Sequence, residues 1–305
     1  MNTVPHASTE TNSTGYREKE SRSGWIIFII NSSPFNVKIA LAILLLVFSV
    51  VALAPIIAPY SPTETFDAVL APWNGQFWLG TDQLGRDVFS RVLFGGRNSI
   101  LIAVATTTVS FSVGATAGGL SAIRGGWLDQ VMSRVIDTLM AIPSLIFALM
   151  LLSVFGTNVL NLVLIIAFID ATRVFRLSRA VSANIVAMEF VEAARLRGEG
   201  WLGVMRREVL PNIMPTLLSE FGIRFCYVFL TVAALSFLGV GIQPPAADWG
   251  SMVRENAPLI GFLDSDPRLA IMPLIPAFAI GIVTISMNLI IDWTLQIVGG
   301  MKEAR

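Results

Sequence analysis

Apolar runs separated by short polar stretches recur along most of this chain. A bilayer-spanning helix needs about 20 predominantly apolar residues. Six segments approach or exceed that length: 37–58, 99–123, 135–155, 159–172, 213–240 and 271–298. The fourth is short and ends at Asp170 and Arg173. The fifth and sixth are longer than a bilayer requires and are expected to tilt or project. Residues 1–23 are polar and read as a disordered tail, and 25–30 form a brief apolar patch suited to an interface, with Trp25 as anchor. The first span lies too deep for an ordinary signal peptide. Pro55 follows the cleavage-like Ala52-Leu53-Ala54, so the span reads as an uncleaved anchor. The pattern predicts an all-α polytopic membrane protein with about six transmembrane helices and both termini on one side.

Composition supports this pattern. Of 305 residues, 54% are hydrophobic and 14% charged, with a mean hydropathy of +0.70. Soluble proteins carry about 25% charged residues, so much of this surface must face lipid. The net charge is zero, which argues against a nucleic-acid binder. With tail and C-terminus placed inside, 15 of the 21 basic residues fall on the cytoplasmic side. Arg86, Arg91, Arg97, Arg254 and Arg268 fall outside, and Arg224 lies within a span. The positive-inside bias therefore sets the orientation. One cysteine, Cys226, excludes an internal disulfide framework and a cysteine-cluster zinc site. The lone histidine, His6, lies in the tail, so histidine-based catalysis and multi-histidine metal sites are not expected.

Within the spans, Gly114-Ala-Thr-Ala-Gly118 followed by Gly119 offers a small-residue face for close helix packing. Pro143, Pro273 and Pro276 sit in or at the mouths of spans, where proline permits a kink. Charges inside spans are costly, about +2.5 to +3.5 kcal/mol at a helix centre on insertion scales. Glu220 and Arg224, four apart, can neutralise one another, or Arg224 can face a pathway and attract a substrate carboxylate. Asp137 and Asp292 lie near cytoplasmic ends, where contact with helix ends or a partner is expected.

The cytoplasmic stretch 173–212 lacks linker character, and a loop this long ordinarily carries structure or function. Two short helices are expected, over 182–197 and 201–209, broken by Gly198 and Gly200 and ended by Pro211. Within it stand Glu192-Ala193-Ala194, then Gly198, then Leu210-Pro211. This spacing resembles the EAA loop of bacterial ABC importer permeases. The resemblance implies a coupling helix that docks in a groove of an ATPase subunit. Two alanines would allow close approach, Glu192 would offer a charge-assisted bond, and the glycine a sharp reversal. Glu208 stands where that family often has isoleucine.

The first external loop carries Leu79-Gly-Thr-Asp-Gln-Leu-Gly-Arg-Asp-Val-Phe-Ser-Arg91. Thr81 or Asp82 is expected to cap a helix there, Asp87 and Arg91 to form an i,i+4 pair, and Val88, Phe89, Val92 and Leu93 to give an interfacial apolar side. This run resembles the signature of peptide- and nickel-type importer permeases, C-type subunit. The likeness extends through Asp137, Pro143, Arg176, Arg179, Leu235-Ser-Phe-Leu-Gly239, Gln243-Pro-Pro245 and Trp249-Gly250, over roughly 35–295. The C-terminal Asn288-Leu-Ile-Ile-Asp-Trp293 departs from it.

The resemblance implies a type I ABC importer permease fold at the bacterial inner membrane, with cytoplasmic termini. The divisions are a tail with interfacial segment (1–34), a first span with external loop (35–98), a transmembrane core (99–298) and a C-terminal tail (299–305). Implied ATPase-coupling residues are Glu192, Ala193, Ala194, Gly198, Leu210 and Pro211; Glu220 and Arg224 are pathway candidates. No G-x-x-x-x-G-K-[ST] phosphate loop or nucleophile–base pair occurs, so neither a cofactor nor catalysis by this chain is expected. Implied partners are two ATP-binding cassette subunits, a second permease, an extracytoplasmic binding protein and the lipid bilayer, with no nucleic acid. Dipeptides, oligopeptides, nickel chelates and opine- or sugar-like conjugates are the substrate classes left open. A stand-alone channel or secondary transporter is the main rival, and a membrane-embedded enzyme the other.

Overall fold

A computed structural model describes residues 33–303. The tail and the Trp25 segment lie outside the described residues. Among these the regular elements are helices, with one isolated bridge between Thr81 and Asp87. In chain order they are α1 (Phe35–Ala52), α2 (Ala54–Ile57), α3 (Val88–Arg124), α4 (Gly126–Met140), α5 (Ser144–Phe155), α6 (Val159–Val186), α7 (Glu189–Leu196), α8 (Trp201–Val204), α9 (Leu210–Phe237), α10 (Trp249–Asn256), α11 (Pro267–Ala270) and α12 (Leu274–Glu303).

Among the described residues, four helices are long and apolar enough to cross a membrane: Phe35–Ala52, Val88–Arg124, Trp201–Phe237 and Pro267–Gln296. The pair α4 and α5, bent by 91°, makes a fifth if it is one span. The expected count of six is thus four or five by length and composition. The difference is α6. It is a single 28-residue helix rather than a short span, but Asp170, Arg173 and Arg176 interrupt its apolar run. The lipid-type surface is apolar: Leu46, Ile56, Val154, Leu160 and Phe278 are all at least 64% exposed. Inside hydrocarbon such residues lose nothing by facing outward, and packing must come from close backbone approach instead.

That approach is built by the predicted glycine face. α3 lies along α6 so closely that a Cβ on Gly114 would stand 2.6 Å from the Ala171 carbonyl oxygen. One on Gly118 would fall on the Phe175 carbonyl, and one on Gly119 2.5 Å from Met205 Cε. Ser178 Oγ donates to the Ala115 carbonyl at 2.8 Å, a polar tie within the same contact.

The prolines divide by position. Pro143 caps α5 at the 91° bend, as a kink-forming proline should. Pro273 and Pro276 sit just before and within the first turn of α12, where no helical donor is lost. Pro215, inside α9, was not among the expected kinks.

Two further expectations are corrected. The helix of the first external loop is continuous with the second span, as the N-terminal turns of α3, and runs unbroken through 98/99. Val88 and Leu93 are buried there rather than set in an interface. Asp87, not Thr81 or Asp82, is its cap, accepting from the Ser90 backbone N–H at 2.8 Å. Asp87 forms no ion pair with Arg91, which turns to Asp82 and Glu255 instead. Thr81 instead accepts from the Ala71 N–H at 2.9 Å, and Asp82 from Leu84 and Arg86 N–H, each at 2.9 Å, which holds the loop's turn.

The half that holds the 59–87 loop is locked by α10. Trp249 is 2% exposed; its indole N–H donates to the Val92 carbonyl at 2.8 Å, and its backbone N–H to Ser99 Oγ at 3.0 Å. Its ring packs edge-on against Phe229 of α9 at 6.2 Å. Leu152, Leu162, Leu235, Val283 and their neighbours complete this apolar core, while Val174, Val191, Val204, Val209 and Ile213 form a second one on the loop side.

Candidate functional site

The loop 173–212 folds differently from its expected two helices. The first is divided: α6 continues to Val186, the chain turns at Ala187 and Met188, and α7 begins at Glu189. Glu189 and Glu192 fall in the first turn of α7 and Arg195 in its last, each favourable to the helix dipole. Gly198 follows at φ +82°, a conformation that L side chains rarely adopt, so the reversal after α7 needs glycine. The second helix does not end at Pro211. α8 passes through one π-helical turn, Met205–Val209, directly into α9. Pro211 lies in the first turn of α9, where the wider turn before it accommodates the missing N–H.

The geometry separates the motif residues by face. Val191 and Ala194 are fully buried, in the same apolar cluster as Val204, Met205, Val209 and Ile213. Ala194 thus packs α7 against its own chain. Glu192 and Ala193 are exposed, beside Phe190 and the 84% exposed Leu196. Neither Glu189 nor Glu192 forms an ion pair among the described residues. Leu210 packs against the second cluster and Pro211 is exposed at the helix junction; both support the loop from behind.

Three contacts that sequence reasoning missed join this loop to the spans. Arg195 donates to the Ile123 carbonyl, at the end of α3, at 2.9 Å. The Arg124 guanidinium lies 4.6 Å from the centre of the Trp201 ring. Arg179 of α6 binds Asp129 of α4 through two hydrogen bonds of 2.5 Å, and Ser121 of α3 donates to the same carboxylate at 2.7 Å. Spacing could not reveal these, since each partner comes from a different span.

The second candidate site is a cavity of about 690 Å³ whose walls include Ser144, Arg173, Arg176, Glu220, Arg224 and Tyr227. Glu220 and Arg224 pair with each other at the wall of this cavity. Arg224 Nε and Nη2 each lie 2.7 Å from Glu220 Oε1, and both residues line the cavity. Asp170 is 3% exposed behind this wall. Ser110 donates to its Oδ2 at 3.0 Å, and Arg173 and Arg224 each approach its Oδ1 at 3.8 Å. A carboxylate buried this deeply needs such partners. Asp137 and Asp292 are exposed and form no ion pair among the described residues.

At the far end from the 173–212 loop, Asp248 is fully buried and caps α10 through Oδ1, which accepts from Gly250 and Ser251 N–H at 2.9 and 3.1 Å. Burial pushes its carboxyl above the usual carboxylate range, against the hydrogen bonds that favour ionisation.

A family model for binding-protein-dependent transport system inner membrane components matches residues 114–299, which contain the loop, the cavity and the α3–α6 glycine contact. The chain belongs to that family. Among similar permeases, a di/tripeptide transport system permease of Pseudomonas aeruginosa is 35% identical over 238 residues, 76% of this chain and 78% of the relative. A glutathione transport system permease of Pectobacterium atrosepticum is 30% identical over 279 residues, covering 90% and 91%. A probable D,D-dipeptide transport system permease of Escherichia coli is 31% identical over 232 residues, covering 76% and 78%. The permease reading, and with it the inner-membrane and importer character drawn from the sequence, is borne out at the level of the family. Such a permease does no ATP chemistry itself, so ATP-driven movement rests on separate subunits.

Proposed function

We propose that this permease carries a peptide or similar small solute inward through the cavity at Glu220 and Arg224, driven by ATPase subunits that grip α7. The reading places both termini in the cytoplasm. It pairs the chain with a second permease, two ATP-binding cassette subunits and an extracytoplasmic binding protein. The names of its relatives support the peptide class.

The observation that carries it is the two-faced α7. Val191 and Ala194 fix the helix to the spans, while Glu192 and Ala193 stand exposed with no ion pair of their own. Gly198 gives the reversal behind it, and Leu210 and Pro211 form the junction with α9. An exposed carboxylate on a braced helix suits a charge-assisted bond to a basic group on an ATPase. Closure of the ATPase pair would then push α7 as a unit with the spans behind it.

The test uses the complete importer in proteoliposomes. Glu192→Arg is expected to reduce ATP-driven uptake at least tenfold (about 1.4 kcal/mol or more of coupling) while the chain stays folded in the membrane. Unchanged uptake with unchanged ATPase assembly would overturn the coupling role. Uptake by this chain alone, driven by an ion gradient, would overturn the importer reading.

A further inference from the structure

The cavity holds an imbalance of charge that the pairing of Glu220 with Arg224 hides. Three guanidinium groups border it, on Arg173, Arg176 and Arg224. Two carboxylates answer them. Glu220 takes Arg224 at 2.7 Å. Asp170 lies 3.8 Å from both Arg173 and Arg224. Arg173 also donates to Ser144 Oγ at 3.3 Å. Arg176 alone of the three is exposed to the cavity with neither a hydrogen bond nor an ion pair among the described residues. The surplus positive charge therefore sits on one identified side chain.

Two features make this more than a stray surface cation. Arg176 stands on α6 one turn after Arg173, so its backbone is fixed by the tight α3–α6 contact, where a Cβ on Gly114 or Gly118 would strike the backbone at Ala171 or Phe175. In addition, Ser144, Tyr227 and Thr231 supply neutral polar groups around the same space. A guanidinium with five donors and no acceptor is matched by an oxyanion. Arg224, the cation that the sequence singled out, is already held by Glu220 and serves as wall.

We propose that Arg176 is the anion-binding residue of the cavity, receiving a carboxylate or similar oxyanion of the transported solute. This deepens the importer reading and rests on it for the word transported; the electrostatic claim stands separately and is tested separately.

The experiment places a reporter thiol at Ala180, one turn beyond Arg176 on α6 and exposed to the same cavity. The full chain in its complete complex, in nanodiscs, carries Ala180→Cys; the native Cys226 is buried and serves as background. Rates of modification by anionic sulfonatoethyl and cationic trimethylammonioethyl methanethiosulfonate are read by mass on this chain. Each rate is normalised to the reagent's rate with free 2-mercaptoethanol. The expected preference for the anionic reagent is about tenfold, the ratio one unpaired charge a helical turn away gives two oppositely charged probes at water-like dielectric. Arg176→Gln should bring the ratio close to one and Arg176→Lys should keep it. A preference absent from the parent, or unchanged by Arg176→Gln, would overturn the proposal. ATP-driven uptake, measured on the same complexes reconstituted into proteoliposomes, reports on the importer reading alone: anion preference without uptake would refute that reading and leave the site in place.

Discussion

Arg91 of α3 and Glu255 of α10, 164 residues apart, meet at 2.8 Å with the arginine 1% exposed. Arg86 shares Glu255 at 3.0 Å and Asp82 at 2.7 Å, and Asp82 lies 3.5 Å from Arg91. Two cations and two anions thus close the face between the first loop and α10. Arg91 is buried but Glu255 is 23% exposed, so removing Glu255 leaves two arginines to share Asp82, at a cost of about 1–3 kcal/mol. Glu255→Ala should destabilise the chain by about that much, read as a lowered unfolding midpoint in detergent. Glu255→Ala together with Arg91→Met should recover part of the loss. A single substitution within 1 kcal/mol of the parent would show that the cluster is solvated and weak.

The glycines give a contrasting pair. Gly118→Ala drives a methyl onto the Phe175 carbonyl, which belongs to backbone and cannot rotate away. A loss of several kcal/mol, or failure of α3 to seat on α6, is expected, since overpacking alone costs about 1–3 kcal/mol. Gly198→Ala meets open space and costs only the strain of φ +82°, about 1–2 kcal/mol. Thermal unfolding of the two variants should differ in that order, and the reverse order would contradict the helix contact.

Much of this was legible in the sequence for physical reasons. Long apolar runs fixed by bilayer thickness gave the helical class, and the small residues at Gly114, Gly118 and Gly119 gave the tight contact, because nothing larger fits. The spacing of Glu192, Ala193, Ala194 and Gly198 located α7. Periodicity could not tell which alanine faces inward, because Ala194 is buried by Val204, Met205 and Val209, residues of the following turn. Pro211 read as a stop because proline usually ends a helix; the π turn before it could not be foreseen from composition. Arg176 carries part of the family likeness, but nothing in the sequence marks it as a pathway cation beside Arg224, because a surplus charge appears only once Asp170 and Glu220 have chosen their partners.

Asp248 offers a pH-dependent test. Its Oδ1 caps α10, while Oδ2 is buried with no hydrogen-bond partner. Burial raises the folded carboxyl above its ordinary value of 3.8. The folded state then holds its proton more tightly than the unfolded one, so this group favours folding at low pH and the benefit is lost as pH rises from the unfolded toward the folded value. Asp248→Asn keeps the acceptor for the cap and removes the ion. The stability of the parent relative to this variant should fall as pH rises through the acid window, since the other titrating groups, such as Asp129, are common to both. Asp248→Ala loses the cap and should cost about 1–2 kcal/mol at every pH. Parallel pH profiles for Asp248→Asn and the parent would sink the assignment.

The bond from Arg195 to the Ile123 carbonyl gives the last prediction. α7 reaches the second span through this bond, and the following α8 reaches it through the stack of Arg124 on Trp201. Both use the end of α3, whose exposed carbonyls carry the negative end of the helix dipole and attract cations. If α7 moves the spans by pushing, these ties determine how much of its displacement α3 follows. Loss of one tie should weaken coupling by about 0.5–2 kcal/mol, a range seen for residues that touch neither ligand. Arg195→Leu should therefore lower solute moved per ATP hydrolysed by about threefold or more in the reconstituted importer, with assembly and basal ATPase kept. Arg195→Lys, which retains the charge, should restore most of the ratio. A purely structural role would lower assembly, uptake and ATPase together and leave the ratio unmoved, and that result would remove Arg195 from the coupling route.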